Sequence, residues 1–302
     1  MEYKSLKKIY YSNNSIYEDE YLQRLNGYGT TKTTMFPYLM KKDTFSTHQY
    51  PLFVVPTLEI QLLSQKIIEL SSKITDLANK LPDVAHQQFY NEQLFNAIIS
   101  TNEIEGIGTT RKDVAVAIDA LNKDRKEKLK HKSTVRMYLD ILSEDYLNIT
   151  ELIHIREIYD ALTSGEIEDE DQLDGELFRK DLVSIVNNKT GKIEHIAPSK
   201  EQTIKEMLKS WLDFINTETI PFLIKASLAH YFFENVHPFY DGNGRTGRYI
   251  LSKYLSRKLD KFSGLIISKK INEDKAKYYK SFAETGDTLN RADGTQFVQS
   301  ML

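Results

Sequence analysis

Apolar positions recur along most of this chain with the period of a helix. From Pro56 onward, Leu58, Ile60, Leu62, Leu63, Ile67, Ile68, Leu70, Ile74, Leu77 and Leu81 fall at near-helical spacing, and Pro82-Asp83 closes the run. A second helix is predicted over about 85–105, with others near 111–122, 133–147, 151–163, 201–217 and 221–236. The stretch Ala226 to Val236 is apolar on several faces, as a buried helix would be. Pro238 disfavours helical geometry at His237, so that helix should end there, and another should begin near Asn243. One segment departs from the pattern: Leu182–Val186 and Lys192–Ile196 flank the polar run 187–191 and read as a β-hairpin. Residues 1–55 have little periodicity and are expected to form an irregular arm or short strands, and the lysine-rich stretch 123–132 an exposed connection. The fold class is therefore mainly α, with one hairpin.

The chemistry concentrates in His237-Pro238-Phe239-Tyr240-Asp241-Gly242-Asn243-Gly244-Arg245-Thr246-Gly247-Arg248. Gly242 and Gly244 allow a sharp turn whose backbone N–H groups approach a ligand closely. A glycine-rich loop feeding a helix N-terminus favours an anion, through free amides and the helix dipole together. Arg245 and Arg248, three apart, share a helix face and present forked donors suited to phosphate oxygens. Asp241 is a hard oxygen ligand of the kind that takes Mg²⁺. A neutral His237 is suited to accept a hydroxyl proton near neutrality. Any one of these residues alone is more often structural, and His48, His86, His131, His154, His195 and His230 are read that way; it is the mixture that a purely structural loop does not need.

With these residues in view, His-x-Phe-x-Asp-Gly-Asn-Gly-Arg-x-x-Arg resembles the signature of the Fic (Fic/Doc) family, matched at every defining position. The resemblance implies a Fic-type helical bundle with a β-hairpin flap over the active site. It also implies transfer of AMP from ATP to a Tyr, Thr or Ser hydroxyl of a protein. Carried over by position, His237 is the base, Phe239 fixes the loop in the core, and Asp241 holds Mg²⁺. Gly242, Asn243 and Gly244 form the phosphate nest, and Arg245 and Arg248 grip the β- and γ-phosphates. A kinase-like branch of the family has lysine where Gly244 stands, so the glycine favours nucleotide transfer. Upstream, Ser100-Thr101-Asn102-Glu103-Ile104-Glu105-Gly106 resembles the family's inhibitory helix, in which Glu105 would pair with Arg248 and displace the γ-phosphate. The hairpin 182–196 resembles the flap along which a target protein is bound, and Gly175 to Arg179 fits the same layout. Ile271 to Lys280 resembles the helix beside the nucleoside, where Tyr279 could stack on adenine.

These readings give residues 1–110 as an N-terminal region carrying the inhibitory motif and 111–302 as the Fic catalytic core. The last residues resemble the start of the family's closing helix. Many similar proteins continue into a winged-helix domain, so the chain reads either as cut before such a domain, through which alone nucleic acid would be bound, or as a short member of the family. With 302 residues, a formal net charge of −3 and no cysteine, disulfides, thiol catalysis and cysteine-bound zinc are excluded, and no polyanion-binding surface is implied. The start lacks a signal-like apolar run and no segment approaches a membrane span, so a cytoplasmic location is expected, with ATP, a protein substrate and a second copy of the chain as partners. Two other readings use the same residues: Glu105 could orient water to remove AMP from a modified protein, or the chain could be a nucleotide-sensing regulator.

Overall fold

The computed structural model describes residues 3–41, 44–46, 49–124, 129–143, 147–186, 191, 193–217 and 219–302. It is mainly helical, at 64%. In chain order the elements are α1 (Leu6–Ser12), α2 (Tyr17–Leu25), β1 (Thr31–Lys32), β2 (Leu39–Lys41), β3 (Thr44–Ser46), β4 (Phe53–Val54), α3 (Leu58–Ala78), α4 (Asp83–Ile104), α5 (Arg111–Asn122), α6 (Lys132–Ile141), α7 (Leu152–Thr163), β5 (Ser184–Val186), β6 (Ile193–Ile196), α8 (Glu201–Ile215), α9 (Phe222–Val236), α10 (Asn243–Lys258), α11 (Lys261–Glu273), α12 (Lys275–Thr285) and α13 (Thr295–Met301). Among the described residues the strands form only three two-stranded antiparallel ladders, β1 with β4, β2 with β3, and β5 with β6.

Helical periodicity located α3, α4, α5, α7, α8 and α9 to within a few residues at each end. Three expectations change. The first 55 residues are not only arm and strand, because α1 and α2 lie there; each is shorter than the window in which periodicity shows, and each is held by packing. The helix expected over 133–147 closes at Ile141, where the N–H and hydroxyl of Ser143 turn back onto Asp140. The segment 271–280 is not one helix: Asp274 leaves helical geometry and separates α11 from α12. The hairpin tip 187–190, Lys192, His48 and residues 125–128 of the lysine-rich stretch lie outside the described residues. At the end of that stretch His131 is buried, hydrogen-bonded with Asn102 and Thr109.

The chain divides into two compact units. The first comprises Met1–Gln65, Asp174–Pro238 and Ala276–Leu302. Its core lies between α8 and α9, where Trp211 packs against Phe233 and its indole N–H donates to the Ala229 carbonyl at 2.8 Å. Tyr231 meets Phe282 and Phe297 on the α9 face. The opening helices form a satellite cluster of Leu6, Ile9, Tyr17, Tyr21, Leu25 and Phe53. Arg291 binds that cluster to the end of the chain, with its guanidinium over Tyr17 and Tyr21 at 4.4 and 4.7 Å and paired with Glu18 at 2.6 Å.

The second unit comprises Lys66–Leu173 and Phe239–Lys275. Here α11 packs on both α4 and α10, and α6 packs on α5 and α7 around buried Leu94, Ile98, Val114, Tyr138, Ile155 and Leu265. No helix among the described residues is long and apolar enough to cross a membrane. Replacing Trp211 by Phe removes both buried volume and the bond to Ala229. The expected loss is about 2 kcal/mol, read as a lower urea midpoint at unchanged slope.

Candidate active site

The histidine stands near the end of the first unit's middle segment, which closes at Pro238. Helix α9 stops at Val236, and His237 caps it in the left-handed region at φ 49° and ψ 62°, its N–H donating to Phe233 at 3.0 Å. That geometry is strained for a residue with a Cβ, so something must hold it. Arg179 does. Its buried guanidinium donates to the carbonyls of His237 at 2.8 Å, Pro198 at 2.7 Å and Val236 at 3.4 Å, and also to Asp181. Its backbone N–H donates to Pro238 at 3.2 Å. A cation on the last carbonyls of α9 also offsets the helix dipole. The turn before Arg179 is fixed in its own right by Glu201. Burial would raise that carboxyl, but the N–H groups of Leu177, Phe178 and Glu176 bring it down to about 2.

His195 lies buried on β6 with Nε2 2.6 Å from the Asn235 carbonyl, and burial pushes it down to about 4. His237 keeps partial exposure as a residue while its Nδ1 is enclosed; burial, then His195 and Arg179, push it down to about 3. Both imidazoles are therefore neutral near pH 7.

The later segment of the second unit opens with the rest of the signature, at Phe239. Phe239 is buried and stacked on Tyr159 of α7, with centroids 3.8 Å apart and planes 15° from parallel. Asn243 turns both side-chain atoms back onto Phe239: Oδ1 accepts its N–H and Nδ2 donates to its carbonyl, each at 2.8 Å. The side chain expected at the phosphate nest thus also closes the loop. Gly242 takes φ 81°, and a Cβ there would meet Thr163 at 2.9 Å. Its carbonyl receives the N–H and hydroxyl of Thr246, which starts α10.

The two signature arginines on α10 are deeply buried, Arg245 at 1% exposure and Arg248 at 2%. Arg248 donates from Nε to the Thr101 hydroxyl at 3.0 Å, and from Nη2 to the Thr101 carbonyl at 3.1 Å and Glu105 Oε1 at 2.6 Å. Glu105 caps the C-terminal end of α4, followed by Gly106 at φ 76°. Its carboxylate occupies the space a side chain at 244 would fill, since a Cβ on Gly244 would stand 2.2 Å from Oε1. Arg245 donates to Glu166 at 2.6 Å and to Asp241 at 3.2 Å. Glu166, from the turn after α7, was not foreseen, nor was Arg179 as the holder of His237.

Asp241, Gly242, Asn243, Gly244, Arg245, Arg248 and Glu105 are thus gathered in one unit, around the first turn of α10, whose leading N–H groups lack intrahelical acceptors. His237 belongs to the other unit, as does Tyr279, which is exposed on α12 edge-on to Tyr278 at 5.3 Å. The hairpin β5–β6 pairs Ser184 with Ile196 and Ile185 with His195 in that same unit. No group of three potential metal ligands occurs among the described residues. The second unit thus gathers the helix-terminal N–H groups and two buried guanidinium groups, and the first holds the neutral imidazole.

Residues 146–255 match the Fic/DOC family model. Over 100 residues the chain is 36% identical to protein adenylyltransferase fic-1 of Caenorhabditis elegans, which covers 32% of this chain and 19% of that protein. Over 209 residues it is 24% identical to protein adenylyltransferase Fic of Drosophila melanogaster, covering 67% and 39%. The chain thus spans less than two fifths of these relatives. A crystal structure of a Fic family protein from Desulfovibrio desulfuricans G20 superposes with a TM-score of 0.62 at 24% identity, over 81% of this chain and 71% of that one, which shows a shared fold.

Asn243→Ala leaves the N–H and carbonyl of Phe239 buried without those partners. We expect a stability loss of about 2–4 kcal/mol in urea unfolding, and a loss under 0.5 kcal/mol would show the clamp to be dispensable. His195 and His237 are both held below the usual 6.5 in the folded chain, so the unfolded chain takes up protons first on acidification. Stability should stay level above about pH 7 and decline between about pH 6.5 and 4. In His195→Asn that decline should become shallower, as measured by unfolding midpoints across the range.

Proposed function

We propose that this chain, whose residues 146–255 form a domain of the Fic/DOC family, is a protein adenylyltransferase restrained by its own Glu105. The observation that carries this reading is the 2.6 Å pair between Glu105 and Arg248, in the first turns of a helix whose opening residues Asn243 to Arg248 complete the signature. In this reading ATP lays its phosphates on the first turn of α10, against the amides of Gly242, Asn243 and Gly244. Arg245 and Arg248 hold the β- and γ-phosphates. Asp241 fits Mg²⁺ as a single carboxylate, being 43% exposed and sharing only Oδ2 with Arg245; the remaining ligands would be phosphates and water. Bound there, the ion would neutralise phosphate charge.

Neutral His237 takes the proton from a Tyr, Thr or Ser hydroxyl of the target. The freed oxygen forms a bond to the α-phosphorus as the bond to pyrophosphate breaks. The target would be positioned along the hairpin 182–196, through backbone bonds that ask little of its sequence. Glu105 opposes this by holding Arg248 and standing at the helix end where the terminal phosphate would lie. A charge-assisted pair of this kind contributes about 1.5–3 kcal/mol, enough to lower activity tenfold to a hundredfold.

Incubation with ATP and Mg²⁺ followed by intact mass tests the reading. Glu105→Gly should gain one AMP on itself or on an added protein target, wild type should gain at least tenfold less, and Glu105→Gly/His237→Ala none. An adduct that survives His237→Ala would remove the histidine from the mechanism, and equal labelling of wild type would remove the restraint.

A further inference from the structure

Both signature arginines meet carboxylates from outside the signature, but the two contacts are built differently. Glu105 keeps 27% exposure and rests on a glycine at the rim of the helix. Glu166 is more deeply set, at 15% exposure, and fixed at three points. Its N–H donates to the Thr163 carbonyl at 2.9 Å, Oε1 accepts the Ser133 hydroxyl at 2.8 Å, and Oε2 accepts Arg245 Nη1 at 2.6 Å. By contrast Asp241, which shares the same guanidinium, is 43% exposed and makes the longer bond of 3.2 Å.

A guanidinium buried to this degree must be met by acceptors close by, and those that meet Arg245 are two carboxylates. With Glu166 in place that need is met from behind the loop, and Asp241 is left loosely held. Without it Asp241 would be drawn fully onto Arg245, turning the fork away from the face that α10 presents. From this geometry we infer that Glu166 is a positioning residue: the fixed counter-ion that aims Arg245 at the phosphates and keeps Asp241 free. The inference rests on the reading above, in which Arg245 binds phosphate.

The test is calorimetric binding of ATP and of AMP, with Mg²⁺, to Glu105→Gly and to Glu105→Gly/Glu166→Gln, glutamine keeping the size of the side chain. The parent should bind ATP more tightly than AMP. Glu166→Gln should weaken ATP about tenfold and leave AMP unchanged. Adding Ser133→Ala instead, which loosens Glu166 without removing its charge, should give a smaller loss of the same kind. Unchanged ATP affinity, or an equal loss for both nucleotides, would overturn the inference. A parent with no preference for ATP would count against the phosphate-binding reading itself. The positioning claim is then decided without nucleotide, by exchange of the protons on Arg245 Nη1, the atom that donates to Glu166, in nitrogen-15 NMR. Exchange should be slow in wild type and about tenfold faster in Glu166→Gln; an unchanged rate overturns it.

Discussion

A loop that presents its backbone N–H groups to an anion must be held by something other than those groups. Between α9 and α10 the holding is done by Asn243, whose amide closes on the N–H and carbonyl of Phe239. The ring of Phe239 is fixed in turn by stacking on Tyr159, and the carbonyl of Gly242 by Thr246. The chain uses the same device once more in the first unit, where the Asn235 amide brackets the N–H and carbonyl of Tyr38. In both places a buried asparagine satisfies two backbone groups that no helix or ladder could reach. The rest of the loop's chemistry presumes that fixed backbone.

Charge is the second constraint. Arg179, Arg245 and Arg248 are all buried, which is costly unless each cation is met by acceptors. Arg179 is met by carbonyls at a helix C-terminus, Arg245 by two carboxylates, and Arg248 by a carboxylate together with a hydroxyl and a carbonyl. The three arrangements differ in what they leave free. The first fixes backbone, the second aims a fork, and the third closes it off.

Much of this was legible because it is local. The signature is contiguous, Glu105 sits one turn after Thr101 on a helix that periodicity predicts, and Pro238 marks where α9 must stop. What was not legible depends on residues far apart in sequence. Glu166 meets Arg245 across 79 positions and Arg179 meets His237 across 58, and no spacing rule connects them. The hold of the Asn243 side chain on Phe239 was not legible either, since an amide in a glycine-rich loop serves a ligand and a backbone equally well on paper. The short opening helices were missed because they exist by packing, with Tyr17 and Tyr21 acting as apolar residues despite their hydroxyls.

Gly244 gives the Glu105 contact a property that a separate inhibitory subunit would lack. Because the carboxylate and its seat belong to one chain, their encounter does not depend on how much protein is present. Only a ligand competing for the same helix end changes its occupancy. On the proposed reading, a contact of about 2 kcal/mol raises the nucleotide concentration needed to half-fill the site roughly thirtyfold. The set point would then be encoded in the covalent chain as a concentration threshold, adjustable by single substitutions at either 105 or 244.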